Sequence, residues 1–341
     1  MESMTPQQSG TQADAVDQHD RTEAGPAISI LIVGYNTKDL VLDCLRGLYQ
    51  HTAGPSFEVL FIDCSNDGSE QAIRDSYPDV RVIDNDKNLG FGRGNNFLAA
   101  HARGDYVLLL NPDTLIKDNA IGALYDFARS TPEAGAWGGV TRLSDGSIDP
   151  GCQQAAPGLG SGLMMLLGMG SKTKPDVEAD HGSGVDVASL SGAFMMLRRE
   201  LWEELGGFDE SFFMYCEETD LCYRVRQAGR KVLITPRSSI VHLVGSGSAQ
   251  SPKRMLALTR GGMHLVRKHN GPARVFIDGT LRWLYSASRY ALGLIGAPLI
   301  GKDRAAELRQ RHAPIVCHPG QWFRGWSQTP TPSLKTEPTS A

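Results

Sequence analysis

Glu217, Glu218 and Asp220 put three carboxylates within four residues at the start of a helical stretch. Such a cluster repels itself, and a helix N-terminus offsets the repulsion only in part. Repulsion raises a carboxylate pKa and favours a general base, here one that deprotonates an acceptor hydroxyl. Glu218 is the leading candidate for that base. Asp220 is equally placed to cap the helix or to pair with Arg224.

A different use of carboxylates is set up at Asn111-Pro112-Asp113. The run Tyr106-Val107-Leu108-Leu109-Leu110 before it reads as a buried strand, so Asp113 sits where that strand ends. A carboxylate there can bind a hard divalent cation, which in turn holds a diphosphate through oxygen. The cation neutralises charge that builds on a leaving diphosphate. The alternative is a turn residue or a cap for the helix near Asp118. His242 follows the strand Ser239-Ile240-Val241 and precedes Gly245-Ser246-Gly247-Ser248, which suits a metal ligand or a phosphate contact.

Asp63 and Asp67 follow a second strand, Phe57 to Ile62. Either could accept hydrogen bonds from a nucleobase or ribose, although Ser65 to Ser69 also has the chemistry of an Asx turn and N-cap. Gly90-Phe91-Gly92-Arg93-Gly94-Asn95-Asn96 follows the third strand and has the spacing G-x-G-x-G. That is not the G-x-G-x-x-G of a dinucleotide site, and no acid follows at the required distance. The NAD reading is rejected. A Gly-rich approach to a nucleotide, with Asn88, Gly90, Arg93 or Asn96 in contact, remains open.

These residues need a scaffold that brings strand ends together. Strands at 28–33, 57–62, 80–83 and 106–110 alternate with helices at about 40–49, 70–75 and 95–102. The pattern predicts an α/β fold with a mostly parallel, doubly wound sheet. Ligands bind such sheets beyond the carboxyl ends of the strands. Tyr35-Asn36, Asp63 to Asp67, Asn88 to Gly94 and Asn111 to Asp113 all fall there. Further on, the pattern gives a strand at 191–197, a helix at 199–205, a helix at 217–228 and a strand at 231–234. Residues 1–26 and 327–341 read as disordered tails, and 153–186 as a mobile loop that closes over substrate.

The chain has 341 residues and a net charge of −4, which argues against a nucleic-acid binder. The charge is uneven. From Lys253 to Arg311 there are twelve Lys or Arg and three acids, so this segment is +9 and the remainder −13. Arg260, Arg267, Lys268, Arg274, Arg282 and Arg289 interleave there with Phe276, Trp283, Tyr285 and Tyr290. Residues 251–326 are therefore expected to be a helical, basic extension. It would suit an anionic membrane surface, or be an ordinary amphipathic packing segment. No apolar h-region and no run of about 18 apolar residues is present. The six cysteines lack metal spacing and are expected to be free thiols in a reducing cytoplasm.

The ordered set Asn88-Leu89-Gly90-Phe91-Gly92, Asn111-Pro112-Asp113-Thr114, Gly207-Phe208-Asp209-Glu210 and Glu217-Glu218-Thr219-Asp220-Leu221-Cys222 resembles the family 2 glycosyltransferases of GT-A fold. Within them it is similar to the bacterial rhamnosyltransferase-like branch, over about residues 28 to 248. The resemblance implies an inverting single displacement from a nucleoside diphosphate sugar, with Mg²⁺ or Mn²⁺. It puts Asp113 at the metal-binding position, with His242 supporting metal or diphosphate. Asp63 takes the place of the nucleobase-contacting acid. Glu218 stands where the family usually has the aspartate base, which leaves Glu218 and Asp220 both open. The branch implies a dTDP-L-rhamnose donor, with UDP-sugars as the alternative, and a glycan or polyprenyl-diphosphate-linked acceptor in cell-envelope glycan synthesis. Such an enzyme would be cytoplasmic, peripheral on the inner face of the plasma membrane. A sugar nucleotidyltransferase would need a basic Gly-rich loop after the first strand, where this chain has Gly34-Tyr35-Asn36-Thr37. A non-catalytic binding module would leave all these carboxylates idle.

Overall fold

The computed structural model describes residues 25–154, 177, 180, 182–243 and 251–326. The two tails, most of the 153–186 segment and the Gly245 to Ser248 turn lie outside the described residues. The first half follows the expected alternation: β1 (Ile28–Gly34), α1 (Lys38–His51), β2 (Phe57–Asp63), α2 (Ser69–Ser76), β3 (Arg81–Val82), α3 (Gly90–Ala99) and β4 (Tyr106–Leu110). Then come β5 (Thr114–Leu115), α4 (Ala120–Ser130), β6 (Ala134–Arg142), β7 (Gln153–Gln154), β8 (Val185–Asp186), β9 (Ser189–Leu190) and β10 (Phe194–Arg198). Helices α5 (Arg199–Leu205) and α6 (Glu217–Gln227) lead to β11 (Lys231–His242). Four helices follow: α7 (Pro252–His269), α8 (Pro272–Ile295), α9 (Ala297–Ile300) and α10 (Lys302–Cys317).

The main sheet runs β3-β2-β1-β4-β10-β6-β11-β5, with β8 on the side of β11. Its first four strands are parallel. β10 then enters antiparallel between β4 and β6. Strands β1, β2 and β4 are apolar on consecutive residues because both faces are covered. Ile30, Phe61 and Leu108 pack towards α1 and α4. Their neighbours Leu31, Leu60 and Leu109 pack with Leu98 of α3 and Leu221 of α6.

Helix α3 starts at Gly90, earlier than the turn expected from its glycines. The reason is close approach. A Cβ on Gly94 would lie 2.9 Å from Val33 Cγ1 of β1, so only glycine lets this helix lie against the strand. Helices α7, α8 and α10 enclose a small core of their own, with Met263, Val266, Val275, Ile315 and Trp322.

At the sheet end where β1 and β2 begin, buried Glu58 ties three segments together. It accepts from Ser29 Oγ at 2.7 Å, Arg103 N at 2.7 Å, Arg103 Nη2 at 2.8 Å and Arg81 Nη1 at 2.6 Å. Burial opposes its ionisation, but the hydrogen bonds from Ser29, Arg103 and Arg81 outweigh that and lower its pKa. A lowered folded-state pKa gives stability that is present above the unfolded value and lost as pH falls through the folded one. We expect Glu58→Gln to lose about 1–3 kcal/mol at neutral pH. Chemical denaturation should show that deficit shrinking at acid pH, whereas a constant deficit would contradict the ionic role.

Candidate active site

One cleft of 300 Å³ opens at the carboxyl ends of β4 and β11. Its walls come from four places. Asn111 and His242 stand at the strand ends, Ser191, Gly192 and Ala193 precede β10, Glu217 and Glu218 open α6, and Arg254 and Leu258 come from α7.

The carboxylates are placed by an unusual turn. Tyr215 and Cys216 both adopt left-handed backbone, with φ of 67° and 74°. Residues other than glycine are rarely found there, and such strain gathers at functional sites. The turn is held from outside by α7, where a Cβ on Gly261 would come within 2.5 Å of the Tyr215 carbonyl oxygen. Glu217 lies almost fully buried, with Oε2 lacking a hydrogen-bond partner among the described residues. Burial, and then the charge of Glu218, push its pKa well above the usual carboxylate range.

Asp220 is a correction. Its side chain is fully buried and does not line the cleft. It accepts from Arg224 Nε at 2.8 Å, from Lys268 Nζ at 2.9 Å and from His269 Nε2 at 2.7 Å. The pairing with Arg224 was legible as an i,i+4 spacing, but the two partners from α7 were not.

At the other end of the cleft, His242 lies between two acids. Its Nε2 is 3.3 Å from Asp113 Oδ1 and its Nδ1 is 3.2 Å from Asp149 Oδ2. Burial disfavours the charged ring, but the hydrogen bonds it donates to Asp113 and Asp149 prevail and raise its pKa to about 9. Asn111 Nδ2 is 3.3 Å from the same Nε2. Among the described residues no three His, Cys, Asp or Glu side chains form a metal cage. The Asp113 and His242 pair nonetheless fits a cation. Two neighbouring ligands on an octahedral ion with ~2.1 Å bonds sit about 3 Å apart, and Mg²⁺ usually takes its other ligands from water and substrate phosphates. Asp149 on the far ring nitrogen is the kind of partner that fixes a ligating histidine.

The remaining expected residues lie elsewhere or face inward. Asp63 spends its carboxylate on its own turn, accepting from Ser65 N, Ser65 Oγ, Asn66 N and Asp67 N. Asp67 joins two helix starts, accepting from Lys38 N and from Ser69 N and Oγ. Asn36 is left-handed at φ 52° and donates its N–H to Ser65 Oγ, while Tyr35 is exposed beside it. These residues shape the strand-end surface beyond β1 and β2. Asn88 accepts from Gly90 N at the start of α3. Arg93 and Asn96 are corrections, because they brace the turn from Gly207 to Glu210 and do not line the cleft. Asn96 exchanges two hydrogen bonds with Phe208, and Arg93 donates to the Glu210 carbonyl. Asp149, Tyr215 and Arg254 were missed from sequence. Asp149 falls in a loop without periodicity, and Arg254 lies more than thirty residues beyond Glu218 on a helix that sequence alone did not bring to the site.

Residues 29–206 match the sequence profile of Glycosyl transferase family 2. The chain is 29% identical over 273 residues to the N-acetylglucosaminyl-diphospho-decaprenol L-rhamnosyltransferase of Mycobacterium tuberculosis, covering 75% of this chain and 89% of that protein. It is 26% identical over 223 residues to the rhamnosyltransferase WbbL of Escherichia coli K12, covering 63% of this chain and 83% of that one. Among solved structures, the mannosyltransferase PcManGT of Pyrobaculum calidifontis, in complex with GDP-Man and Mn²⁺, superposes with a TM-score of 0.56 at 16% identity, over 88% of this chain and 86% of that chain. Its likeness concerns the fold. The profile match spans over half of the chain and includes the Asn-Pro-Asp strand end, and on that ground the protein belongs to glycosyl transferase family 2.

Proposed function

We propose that this glycosyltransferase is an inverting, metal-dependent enzyme that moves L-rhamnose from a dTDP donor to a polyprenyl-diphosphate-linked or polysaccharide acceptor of the cell envelope. The donor and acceptor classes follow the relatives from M. tuberculosis and E. coli. One observation carries the chemical reading: Glu217 and Glu218 share a cleft with Asn111 and His242, which itself touches Asp113.

Asp113 and His242 would hold the cation, Mg²⁺ or Mn²⁺, which when bound neutralises charge on the departing diphosphate. Asp149 keeps the His242 ring turned so that Nε2 faces Asp113. Arg254 reaches the cleft from α7, with a buried Nε that has no hydrogen-bond partner among the described residues, and suits a phosphate oxygen. The acceptor hydroxyl gives its proton to the Glu218 carboxylate as its oxygen bonds to the anomeric carbon. The bond from that carbon to the diphosphate oxygen breaks, and the diphosphate leaves with the electron pair. Burial, and then the charge of Glu218, favour the neutral form of Glu217, which leaves Glu218 as the charged carboxylate and the base.

Three outcomes are expected. Glu218→Gln should cut transfer from dTDP-rhamnose by about 10²–10⁴-fold, with donor affinity retained. Near-normal turnover in that variant would remove Glu218 from the role. Asp220→Ala should instead lower folding stability by about 3–5 kcal/mol, since it strands buried cations. An Asp220→Ala protein as stable as the parent would contradict the structural role given to it. Asp149→Asn should raise the Mn²⁺ concentration needed for half-maximal activity by about 10–100-fold, and an unchanged metal requirement would sever Asp149 from the metal site.

A further inference from the structure

A cavity of 610 Å³, larger than the 300 Å³ cleft, opens at the opposite end of the sheet. It lies where β4 begins and β10 ends. The two strands are antiparallel, with Arg198 opposite Tyr106 at this end and Phe194 opposite Leu110 at the cleft end. The strand from Tyr106 to Asn111 covers about 16 Å, so the two spaces are separate.

The lining holds polar groups that the protein leaves unused. Tyr106 belongs to it and is only 6% exposed. Its ring meets Tyr125 of α4 edge-on, with centroids 5.5 Å apart. Arg198 lies over the Tyr106 ring at 5.3 Å, and Arg129 over the Tyr125 ring at 5.7 Å. Among the described residues, neither guanidinium has a salt bridge or hydrogen bond, and the Tyr106 hydroxyl has no hydrogen-bond partner. Burial raises the Tyr106 pKa, whereas Arg198 and Arg129 both act to lower it, so both cations stand near that hydroxyl. Arg199 differs, because it donates to the Gly104 carbonyl and pairs with Glu203. Two exposed acids, Asp105 and Glu200, complete the lining, and neither forms a salt bridge among the described residues.

These groups select a ligand by its chemistry. Guanidiniums braced on aromatic rings, beside a phenol hydroxyl, suit phosphate oxygens, which accept hydrogen bonds from all three. Asp105 and Glu200 repel a bare anion but accept hydrogen bonds, so the rest of the ligand must offer hydroxyl donors. We propose that this cavity binds a sugar phosphate, with its phosphate on Arg129, Arg198 and Tyr106 and its hydroxyls on Asp105 and Glu200. The ligand is a second one, bound apart from the donor and acceptor of the cleft, and the proposal does not depend on which sugar the cleft transfers.

The test is calorimetric titration of the full chain, in EDTA, with glucose 1-phosphate, inorganic phosphate and glucose. Glucose 1-phosphate should bind at one site, with inorganic phosphate about tenfold weaker and glucose giving no heat. Arg129→Gln and Arg198→Gln should each weaken glucose 1-phosphate about tenfold or more, as loss of a charge-assisted contact requires. Arg129 is exposed, so its variant should keep the parent's melting temperature even if Arg198→Gln does not. Glu200→Gln should weaken glucose 1-phosphate but not inorganic phosphate. Asp113→Ala should bind glucose 1-phosphate as the parent does, and its loss there would put the ligand in the cleft and overturn the proposal. No binding by the parent, or unchanged binding by Arg129→Gln, would overturn it too. So would inorganic phosphate binding as tightly as glucose 1-phosphate, because the carboxylates would then select nothing. None of these failures touches the glycosyltransferase reading, which is tested by transfer itself.

Discussion

The buried carboxylate of Asp220 holds the active site to the rest of the molecule. It receives Arg224 from its own helix and Lys268 and His269 from α7. Each partner is itself engaged further out. Arg224 donates to the carbonyls of Leu205 and Gly207, and Lys268 reaches Asp209, whose pKa burial would raise but the Lys268 and Ser211 hydrogen bonds bring to about 2. A charge buried this deeply is tolerable only when fully paired. The pairing thus fixes the Gly207 to Asp209 turn, the start of α6 and the end of α7 relative to one another. Glu217 and Glu218 inherit their positions from it.

The strained Tyr215 and Cys216 turn is intelligible in that setting. Its left-handed backbone is unfavourable for both residues, yet the neighbours leave little alternative. Gly261 of α7 packs on the Tyr215 carbonyl, Arg254 approaches the Tyr215 ring at 6.0 Å, and Asp220 N–H closes the first helical bond onto Cys216. The C-terminal helices therefore do more than extend the domain: α7 buttresses the turn that presents Glu217 and Glu218, and α8 offers an apolar face to the outside. The opposite wall is built differently. There, strand ends deliver Asn111, Asp113 and His242, and rigidity comes from the sheet itself, with His242 paired to Thr114 beyond Asp113.

Much of this was legible in the sequence where chemistry and local periodicity coincide. An apolar strand that runs into Asn-Pro-Asp, or two glutamates opening an amphipathic helix, announces both an element and its end. Polar residues around Gly-rich turns were legible as important but not as to task. Asp63, Asp67, Arg93 and Asn96 hold backbone, because each lies within reach of unsatisfied N–H or carbonyl groups that local turns create. What was not legible depends on distant pairing. The antiparallel insertion of β10 between β4 and β6, the Asp149 carboxylate on His242, and the α7 cations on Asp220 join residues 48 to 93 positions apart, with no repeating pattern to mark them. The basic extension left two readings open for the same reason: its cations are visible in composition, but their internal partners are not.

The central claim is that Asp113 and His242 hold a cation against a nucleoside diphosphate while Glu218 faces the acceptor. The most direct measurement is the melting temperature of the full chain with dTDP, UDP and GDP, each with and without Mn²⁺, because a ligand bound only by the folded state raises it. The account predicts a rise that needs nucleotide and Mn²⁺ together, largest for dTDP, and absent in Asp113→Ala. A nucleotide rise of the same size without metal, or one that survives Asp113→Ala, would contradict it.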